Sequence, residues 1–427
     1  MTARIFTQLM KSFKFSRNYF VVILCTLQFL LNFSCTSTKS DNPDPVPGTE
    51  NPKVEKDGEF LITTDYLKDS IFSIKDADLQ PDGKIIVVAK LTNMSSEKVY
   101  RIDINGKVDP SFDIDKDKTW LIENFRRVQV LANGSVIVAG QFTVDGKTKH
   151  LLRLSGDGKL DRSFDAPIYS DRGNNDTSPI LFIDVQTDGK ILTGGYFTSI
   201  GNTYKPALAR LNANGSLDES FKFDPVTAHS SISNVEILTG GKMLVSGNFV
   251  TNVNPRRFVS KINPDGSADP DFIFRERLGG TIPAPSVDKT VIQSDGKILI
   301  GGVFSEIINP NVRDGNYPYY NFGRLNSDGT PDLTFDKIPL LESLGAVRDI
   351  AILPGGKLLV GRYAMSRDNY INVIDKNGKL ERSLKLNFKT GSVSKFFKIN
   401  DKKYLVIGSF GSYYQERTTP ILVIDVQ

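Results

Sequence analysis

The sequence predicts an all-β fold built from repeated antiparallel hairpins. The clearest hairpin is 183–197, where an alternating apolar and polar run leads into Thr187-Asp188-Gly189 and a short, Gly-rich apolar run follows. Asp-Gly between two strand-like runs indicates a tight turn, which we expect to be of type I′ with positive φ at the glycine. The turn recurs at intervals of roughly 50 residues, at Gly83, Gly134, Gly189, Gly241, Gly296 and Gly356, and Lys402 replaces the glycine in the last copy.

A second hairpin follows the first in six of these copies. Its turn glycine is followed three residues later by an acid, at Asp109, Asp161, Asp218, Asp269, Asp332 and Glu381. Because one active site would not need six copies of the acid, we interpret it as a structural cap of a turn or strand. Four short strands per copy are typical of a propeller blade. The seven copies therefore predict a seven-bladed β-propeller of four-stranded antiparallel blades.

The two ends of the chain are predicted to close the ring. The seventh copy ends after 420–426, which corresponds to its third strand, so that no later segment remains to supply a fourth. An incomplete blade would leave an unpaired edge, which promotes association. The strand-like segment 59–64 precedes the first repeat, and we expect it to pair beside 421–426 as the outer strand of the last blade.

The repeat resembles the bacterial delta-60 repeat family. The resemblance rests on Gln186-Thr-Asp-Gly-Lys-Ile191 with Gly194-Gly-Tyr-Phe197, and then on Arg210-Leu-Asn212 with Gly215-Ser-Leu-Asp-Glu-Ser-Phe221. It covers about residues 70 to 426, with the first and last copies departing most from the pattern. The resemblance implies a repeat architecture and carries almost no information about function.

The N-terminus has the features of a secretory signal. Residues 1–34 contain four basic residues and no acid, and 19–31 form an apolar run that ends shortly before Ser34 and Cys35. This run is short against the roughly 20 residues of a spanning helix. Cys35 resembles the lipidated cysteine of bacterial lipoproteins, although Leu31 and Phe33 depart from the usual pattern. The alternative is ordinary signal cleavage that leaves a free thiol.

The next stretch, 35–58, is predicted to be a disordered tether. It is polar and contains Pro43, Pro45, Pro47 and Pro52, so that it cannot bury enough apolar surface to fold. The propeller would then occupy 59–427. Thr36 after the cysteine fits an outer-membrane lipoprotein by resemblance to that class, which places the protein in the cell envelope.

Composition excludes several classes of function. The chain has 53 basic and 49 acidic residues, and the predicted signal carries four of the basic ones, so that the mature chain is close to neutral. A neutral chain argues against nucleic acid as a partner. The two cysteines, Cys25 and Cys35, lie in or next to the signal, which leaves no disulfide or cysteine–metal site in the propeller.

The variable connections are the candidate binding surface. The turns within each hairpin are tight and repetitive, whereas the connections at the other end of the sheets vary, and binding residues tend to lie on such loops. Aromatic and planar polar side chains there suit sugar rings or protein partners, and the alternative is that the aromatics only cap the ends of the core. The candidate ligand-binding residues are Trp120, Arg256, Arg257, Arg313, Tyr317, Tyr319, Tyr320, Tyr413, Tyr414 and Arg417.

Catalytic motifs are mostly missing from the sequence. His150 and His229 are the only histidines, too few for a three-histidine zinc site. We expect no cofactor and no metal, and we interpret the protein as a membrane-anchored, non-enzymatic binding or scaffold lipoprotein that recognises a glycan, peptide or partner protein. The alternative is a hydrolase or lyase with its site at the mouth of the central channel, because propellers host both classes.

Lipidation of Cys35 can be tested directly. Cys35→Ser removes the thiol that would carry the lipid, so we expect the protein to leave the membrane fraction and to lose fatty-acid labelling. Labelled fatty acid and fractionation of the envelope measure both. A matched Cys25→Ser variant should remain in the membrane, and retention of the Cys35→Ser protein there would contradict lipid anchoring.

Overall fold

The structure is a computed structural model in which strands account for nearly all of the regular backbone. It describes residues 54–57, 60–63, 71–91, 97–103, 107–114, 120–171, 179–223, 230–251, 254–272, 274, 277–279, 285–304, 306–308, 316–317, 321–336, 345–364, 371–384, 390–411 and 419–426. These residues form thirty β-strands and one three-residue 3-10 turn, Pro354–Gly356, and they contain no α-helix. The prediction of an all-β chain is confirmed.

Seven long antiparallel hairpins form the repeated unit of the described chain. Each pairs a first strand with a second strand across a tight turn: β3 (Ile71–Leu79) with β4 (Ile85–Leu91), β6 (Trp120–Val130) with β7 (Val136–Val144), β10 (Ile180–Val185) with β11 (Ile191–Gly195), β15 (Ser231–Ile237) with β16 (Met243–Thr251), β19 (Ser286–Ile292) with β20 (Ile298–Val303), β24 (Val347–Ile352) with β25 (Leu358–Ala364), and β28 (Thr390–Lys398) with β29 (Lys403–Gly411).

A third strand pairs antiparallel with the second strand in each unit. These strands are β5 (Lys98–Ile102), β8 (Lys147–Leu154), β14 (Leu208–Leu211), β17 (Asn254–Ile262), β23 (Phe322–Leu325), β26 (Ile371–Ile374) and β30 (Thr419–Val426). The fourth position is a full strand, β27 (Leu380–Ser383), in the sixth unit. In the first five units it is a single bridge, such as Leu325 with Pro331.

Two small sheets are built from the longer connections. One contains β9 (Tyr169–Ser170), β12 (Ser199–Ile200) and β13 (Thr203–Tyr204), and the other contains β18 (Arg277–Gly279), β21 (Glu306–Ile308) and β22 (Asn316–Tyr317). Both lie at the end of the sheets opposite the tight turns, because their strands come from the segments that follow second strands or precede first strands.

The tight turns have a different geometry from the predicted type I′. Gly189 and Gly296 have φ of +82° and +80°, as expected, but the aspartates before them do not have positive φ. In the first of these turns the N–H of Gly189 donates to the carbonyl of Gln186, and the N–H of Gln186 donates to the carbonyl of Lys190. This is a three-residue loop, a type I turn followed by a glycine bulge, which needs positive φ at one position only. A type I′ pair does occur, at Asp145-Gly146 between β7 and β8.

Six of the seven hairpins also carry a glycine two residues before an aromatic near the end of the second strand, as in Gly302-Val-Phe304, and this glycine has a separate role. Each first strand contains a β-bulge opposite the end of its second strand, as between Val287 and Lys289. A Cβ at Gly302 would collide with the carbonyl oxygen of Ser286. Glycine at this position therefore lets the second strand approach the bulged backbone closely.

Apolar clusters lie between successive sheets. The first strands contact one another in chain order, from β3 through β28, and β28 in turn contacts β3. The cluster that joins the last sheet to the first contains Ile74, Ala77, Leu405 and Ile407, all nearly inaccessible to solvent. Each sheet therefore buries both of its faces against its two neighbours.

The predicted pairing of the chain ends is confirmed. Strand β2 (Phe60–Thr63) pairs antiparallel with β30, with Phe60 opposite Val426 and Thr63 opposite Val423. The structure adds one further strand, β1 (Val54–Asp57), which pairs outside β2. The end of the predicted tether is therefore part of the sheet, where β1 covers the edge that β2 alone would expose.

Removing the N-terminal hairpin should destabilise the protein. Deletion of residues 54–63 removes the pairing with β30, and at about 1 kcal/mol for each backbone hydrogen bond we expect a loss of about 2–4 kcal/mol in the free energy of unfolding. Urea unfolding measures this loss. Deletion of residues 40–49, which is equally long, should have little effect, and equal stability of the two deletion proteins would contradict a clasp between the chain ends.

Candidate functional site

The first strands of the seven hairpins surround a central cavity. Its volume is about 810 Å³, and residues of β3, β6, β10, β15, β19, β24 and β28 line it. Most of the lining side chains are polar or charged. A cavity of this size can hold a small ligand or the end of a longer one.

The recurrent acids lie outside this cavity, and each pairs with a basic side chain of its own unit. Asp332 accepts hydrogen bonds from Nε of Arg324 at 2.7 Å and from Nζ of Lys297 at 2.8 Å. Arg324 also donates from Nη1 to the carbonyl of Lys376 in the next unit and stacks over the ring of Phe335. Burial raises the pKa of Asp332, but these donors outweigh that effect and hold the pKa well below its ordinary value. Equivalent contacts link Asp109 with Arg101, Asp161 with Arg153, and Asp218 with Arg210. The structural interpretation of these acids is confirmed.

Three ion pairs lie within the lining of the cavity. Nζ of Lys395 contacts Asp76 at 2.9 Å, Nη1 of Arg348 contacts Asp288 at 2.7 Å, and Nζ of Lys289 lies 3.5 Å from Asp349. Burial alone would lower the pKa of Lys395, but the charge of Asp76 outweighs it and raises the pKa. Each pair joins residues of different sheets, so that the charges are fixed relative to one another.

Two lining acids have no cation beside them among the described residues. Asp184 accepts a hydrogen bond only from the N–H of the adjacent Val185, at 2.7 Å. Burial raises the pKa of Asp184 from 3.8 to about 6, and the charge of Asp78 adds to the shift. Oε1 of Glu236 accepts from the N–H of Ile292, whereas its buried Oε2 has no hydrogen-bond partner. Burial raises the pKa of Glu236 as well.

The structure describes only part of the predicted ligand-binding set. Trp120 begins β6 and is 6% exposed, with its ring packed edge-on against Phe142 at 5.8 Å. Its position corresponds to the alternative of core packing. Arg256 and Arg257 lie in β17, where Arg257 is opposite Phe249, and Tyr317 lies in β22 opposite Ile307. Cys35, Arg313, Tyr319, Tyr320, Tyr413, Tyr414 and Arg417 lie outside the described residues.

The histidine that the structure describes is buried rather than at the cavity. His150 is 6% exposed, and its Nδ1 accepts a hydrogen bond from the N–H of Tyr169 at 3.2 Å. His229 lies outside the described residues. Within the described part of the chain, no group of three or more His, Cys, Asp or Glu side chains is placed to hold a metal ion.

The residues of the cavity and two exposed tyrosines were not predicted from the sequence. Arg127 lies seven residues before its turn glycine, and Asp184 and Glu236 lie five residues before theirs. An alignment of the first strands on the turn glycine would have grouped these polar positions. Tyr204 and Tyr363 are 52% and 43% exposed at the variable end of the sheets. No sequence signal separated them from the buried aromatics of the repeat.

The raised pKa of Asp184 predicts a stability change that depends on pH. Because the folded state holds the proton of Asp184 more tightly than the unfolded state does, protonated Asp184 contributes to the free energy of unfolding. This contribution is fully present below about pH 4 and is lost as the pH rises through about 6. Asp184→Asn should therefore raise the free energy of unfolding near pH 7.5 by about 1–2 kcal/mol and change little near pH 4. Thermal unfolding at both pH values measures this. The exposed Asp271→Asn is the control, and an equal effect at both pH values would contradict the assignment.

A scan against protein-family models supports the repeat. Five segments, 80–112, 131–164, 186–221, 241–272 and 293–335, match the family described as "Domain of unknown function (DUF5122) beta-propeller". They begin near the turn of a first hairpin and end at the aromatic residue that follows the recurrent acid. No curated protein matches the sequence. No helix of the described residues is long and apolar enough to cross a membrane.

Three solved structures have similarity to this chain. A virginiamycin B lyase from Staphylococcus aureus has 12% identity and a TM-score of 0.52, covering 86% of this chain and 100% of its own. YCF48 from Cyanidioschyzon merolae has 14% identity and a TM-score of 0.45, covering 84% and 96%. A gluconolactonase from Xanthomonas campestris has 14% identity and a TM-score of 0.38, covering 90% and 97%. At 12% identity the likeness to the lyase concerns the fold alone. The matched repeats and the observed sheets together identify the chain as a β-propeller repeat protein.

Proposed function

We propose that the protein is a lipid-anchored, non-enzymatic binding or scaffold protein of the cell envelope. It is a seven-bladed propeller of the delta-60 type, with four strands in a blade, and Cys35 tethers it to the outer membrane. Its partner is a glycan, peptide or protein that it recognises at the variable end of the sheets. The observation that carries the proposal is the cavity of about 810 Å³, since all seven first strands contribute fixed polar groups to it.

Further support comes from the end of the cavity where the first strands begin. Arg348, which is 45% exposed, and Asp288 lie near those ends and border the cavity. Tyr204 and Tyr363 are exposed at the same end. Exposed aromatic rings and paired charges at one end of the sheets combine an apolar contact area with hydrogen-bonding groups, and such a combination suits recognition.

The second candidate is a hydrolase or lyase with its site in the cavity. The observation that favours it is Asp184, because a carboxyl group whose pKa is raised to about 6 can act as a general acid or base near neutral pH. In that case a ligand recovered from the protein would be chemically altered. Recovery of unaltered ligand favours the binding function.

Photo-crosslinking in intact envelopes tests the proposed function. A benzoylphenylalanine in place of Tyr204 or Tyr363 should capture the partner, whereas one in place of Lys376, on an exposed tight turn at the opposite end, should not. Mass spectrometry of the adducts identifies the captured component and shows whether it is altered. Equal capture at the three positions, or capture only at Lys376, would contradict binding at the variable end.

A further inference from the structure

Some of the charged side chains that line the cavity are not in ion pairs. Five cations line it, and four of them contact an acid: Lys75 contacts Glu97 at 2.7 Å, and the other three are the pairs Lys289–Asp349, Arg348–Asp288 and Lys395–Asp76. The fifth cation is Arg127. Of the five lining acids, Asp184 and Glu236 are in no ion pair among the described residues.

Arg127 is held in place by backbone carbonyls. Its Nε donates to the carbonyl of Leu181 on β10 at 2.7 Å, and its Nη1 donates to the carbonyl of Arg126 at 2.9 Å. No carboxylate of the described residues lies within ion-pair distance of it. The remaining N–H groups, including both on Nη2, keep the planar geometry that suits a carboxylate. Arg127 thus presents a fixed cation to the cavity.

Asp184 and Glu236 present the opposite charge. Lys289 and Lys395 attract Asp184 at longer range, but each of these lysines already contacts another acid. Asp184 and Glu236 also repel one another. A partly buried carboxylate without a cation is unfavourable. The charge of a bound ammonium group would offset both the cost of desolvating the two carboxylates and their mutual repulsion.

The three unbalanced groups come from consecutive sheets. Arg127 is on β6, Asp184 on β10 and Glu236 on β15, and β10 packs against both of the other strands. We propose that this side of the cavity binds a ligand carrying both a carboxylate and an ammonium group, namely an amino acid or a short peptide with free ends. The carboxylate binds Arg127, and the ammonium group binds between Asp184 and Glu236.

Other ligand chemistries complement the site less well. A ligand with only a carboxylate leaves both acids unbalanced, and a ligand with only an amine leaves Arg127 unbalanced. The described acids do not form a metal-binding group. This inference rests on the proposed binding function and assigns the peptide among the partners considered above.

The test uses the purified full chain and oligoalanines of one to five residues. Each length is supplied with both ends free, with the amine acetylated, with the carboxylate amidated, and with both ends blocked. Titration calorimetry at low salt measures the affinities. At the preferred length we expect the free form to bind at least about tenfold more tightly than either singly blocked form, since each blocked end removes one charged contact.

Variants of the protein show which residues bind each end of the peptide. Arg127→Gln should abolish the preference for a free carboxylate and keep the preference for a free amine, whereas Asp184→Asn or Glu236→Gln should do the reverse. Arg162→Gln removes an exposed cation that pairs with Asp145 and should leave all affinities unchanged. Thermal unfolding confirms that each variant is folded, and Arg127→Lys should restore part of the carboxylate preference.

The outcomes separate this inference from the proposed function. If all blocked and free forms bind equally, if no oligoalanine binds, or if the variants change no preference, the inference is wrong. Capture of a neutral glycan or a protein by Tyr204 or Tyr363 in the crosslinking experiment would still support the binding function. Chemical conversion of the bound peptide would instead contradict the non-enzymatic function while leaving the site assignment intact.

Discussion

The structure depends on how the inner edges of the first strands satisfy their backbone groups. Each first strand pairs with the second strand on one side, and on the other side, apart from the start of β28, the described strands have no strand neighbour. Buried N–H groups need acceptors. Carboxylates of the preceding sheet supply them: Asp76 accepts from the N–H of Val128, Asp78 from that of Val130, and Asp349 from that of Phe396.

This constraint explains why a cavity surrounded by strands carries so many charges. An acid that accepts a backbone N–H loses part of its hydration, and a lysine from another sheet can offset that loss, as Lys395 does for Asp76. The third unit departs from the arrangement. Asp184 occupies the place of Asp78 and Glu236, but it accepts from Val185 of its own strand instead of from the next sheet. Its carboxylate is therefore available to another group.

The sequence was sufficient to predict the features that follow from a repeated local pattern or from the need to pair the ends of the chain. Positive φ at Gly189 and Gly296, the structural role of Asp332 and its equivalents, and the pairing of β2 with β30 were all predicted correctly. The turn type was predicted wrongly, because Asp188-Gly189 fits both a two-residue and a three-residue loop. The site at Arg127, Asp184 and Glu236 was missed because it depends on which residues of different sheets lie beside one another. That arrangement is set by the bulges, as at Val287 and Lys289, and by sheet packing rather than by local pattern.

The pairing of β2 with β30 also governs the order in which the chain can fold. Phe60 and Val426 lie at opposite ends of the described chain, so the last sheet cannot be completed until the final strand has been synthesised. Until then the first sheet lacks the partner that covers Ile74 and Ala77. Contacts so distant in sequence slow folding, and the uncovered apolar surface favours aggregation in the meantime. A protein exported to the envelope would therefore need to be kept unfolded, or shielded, until its C-terminus emerges.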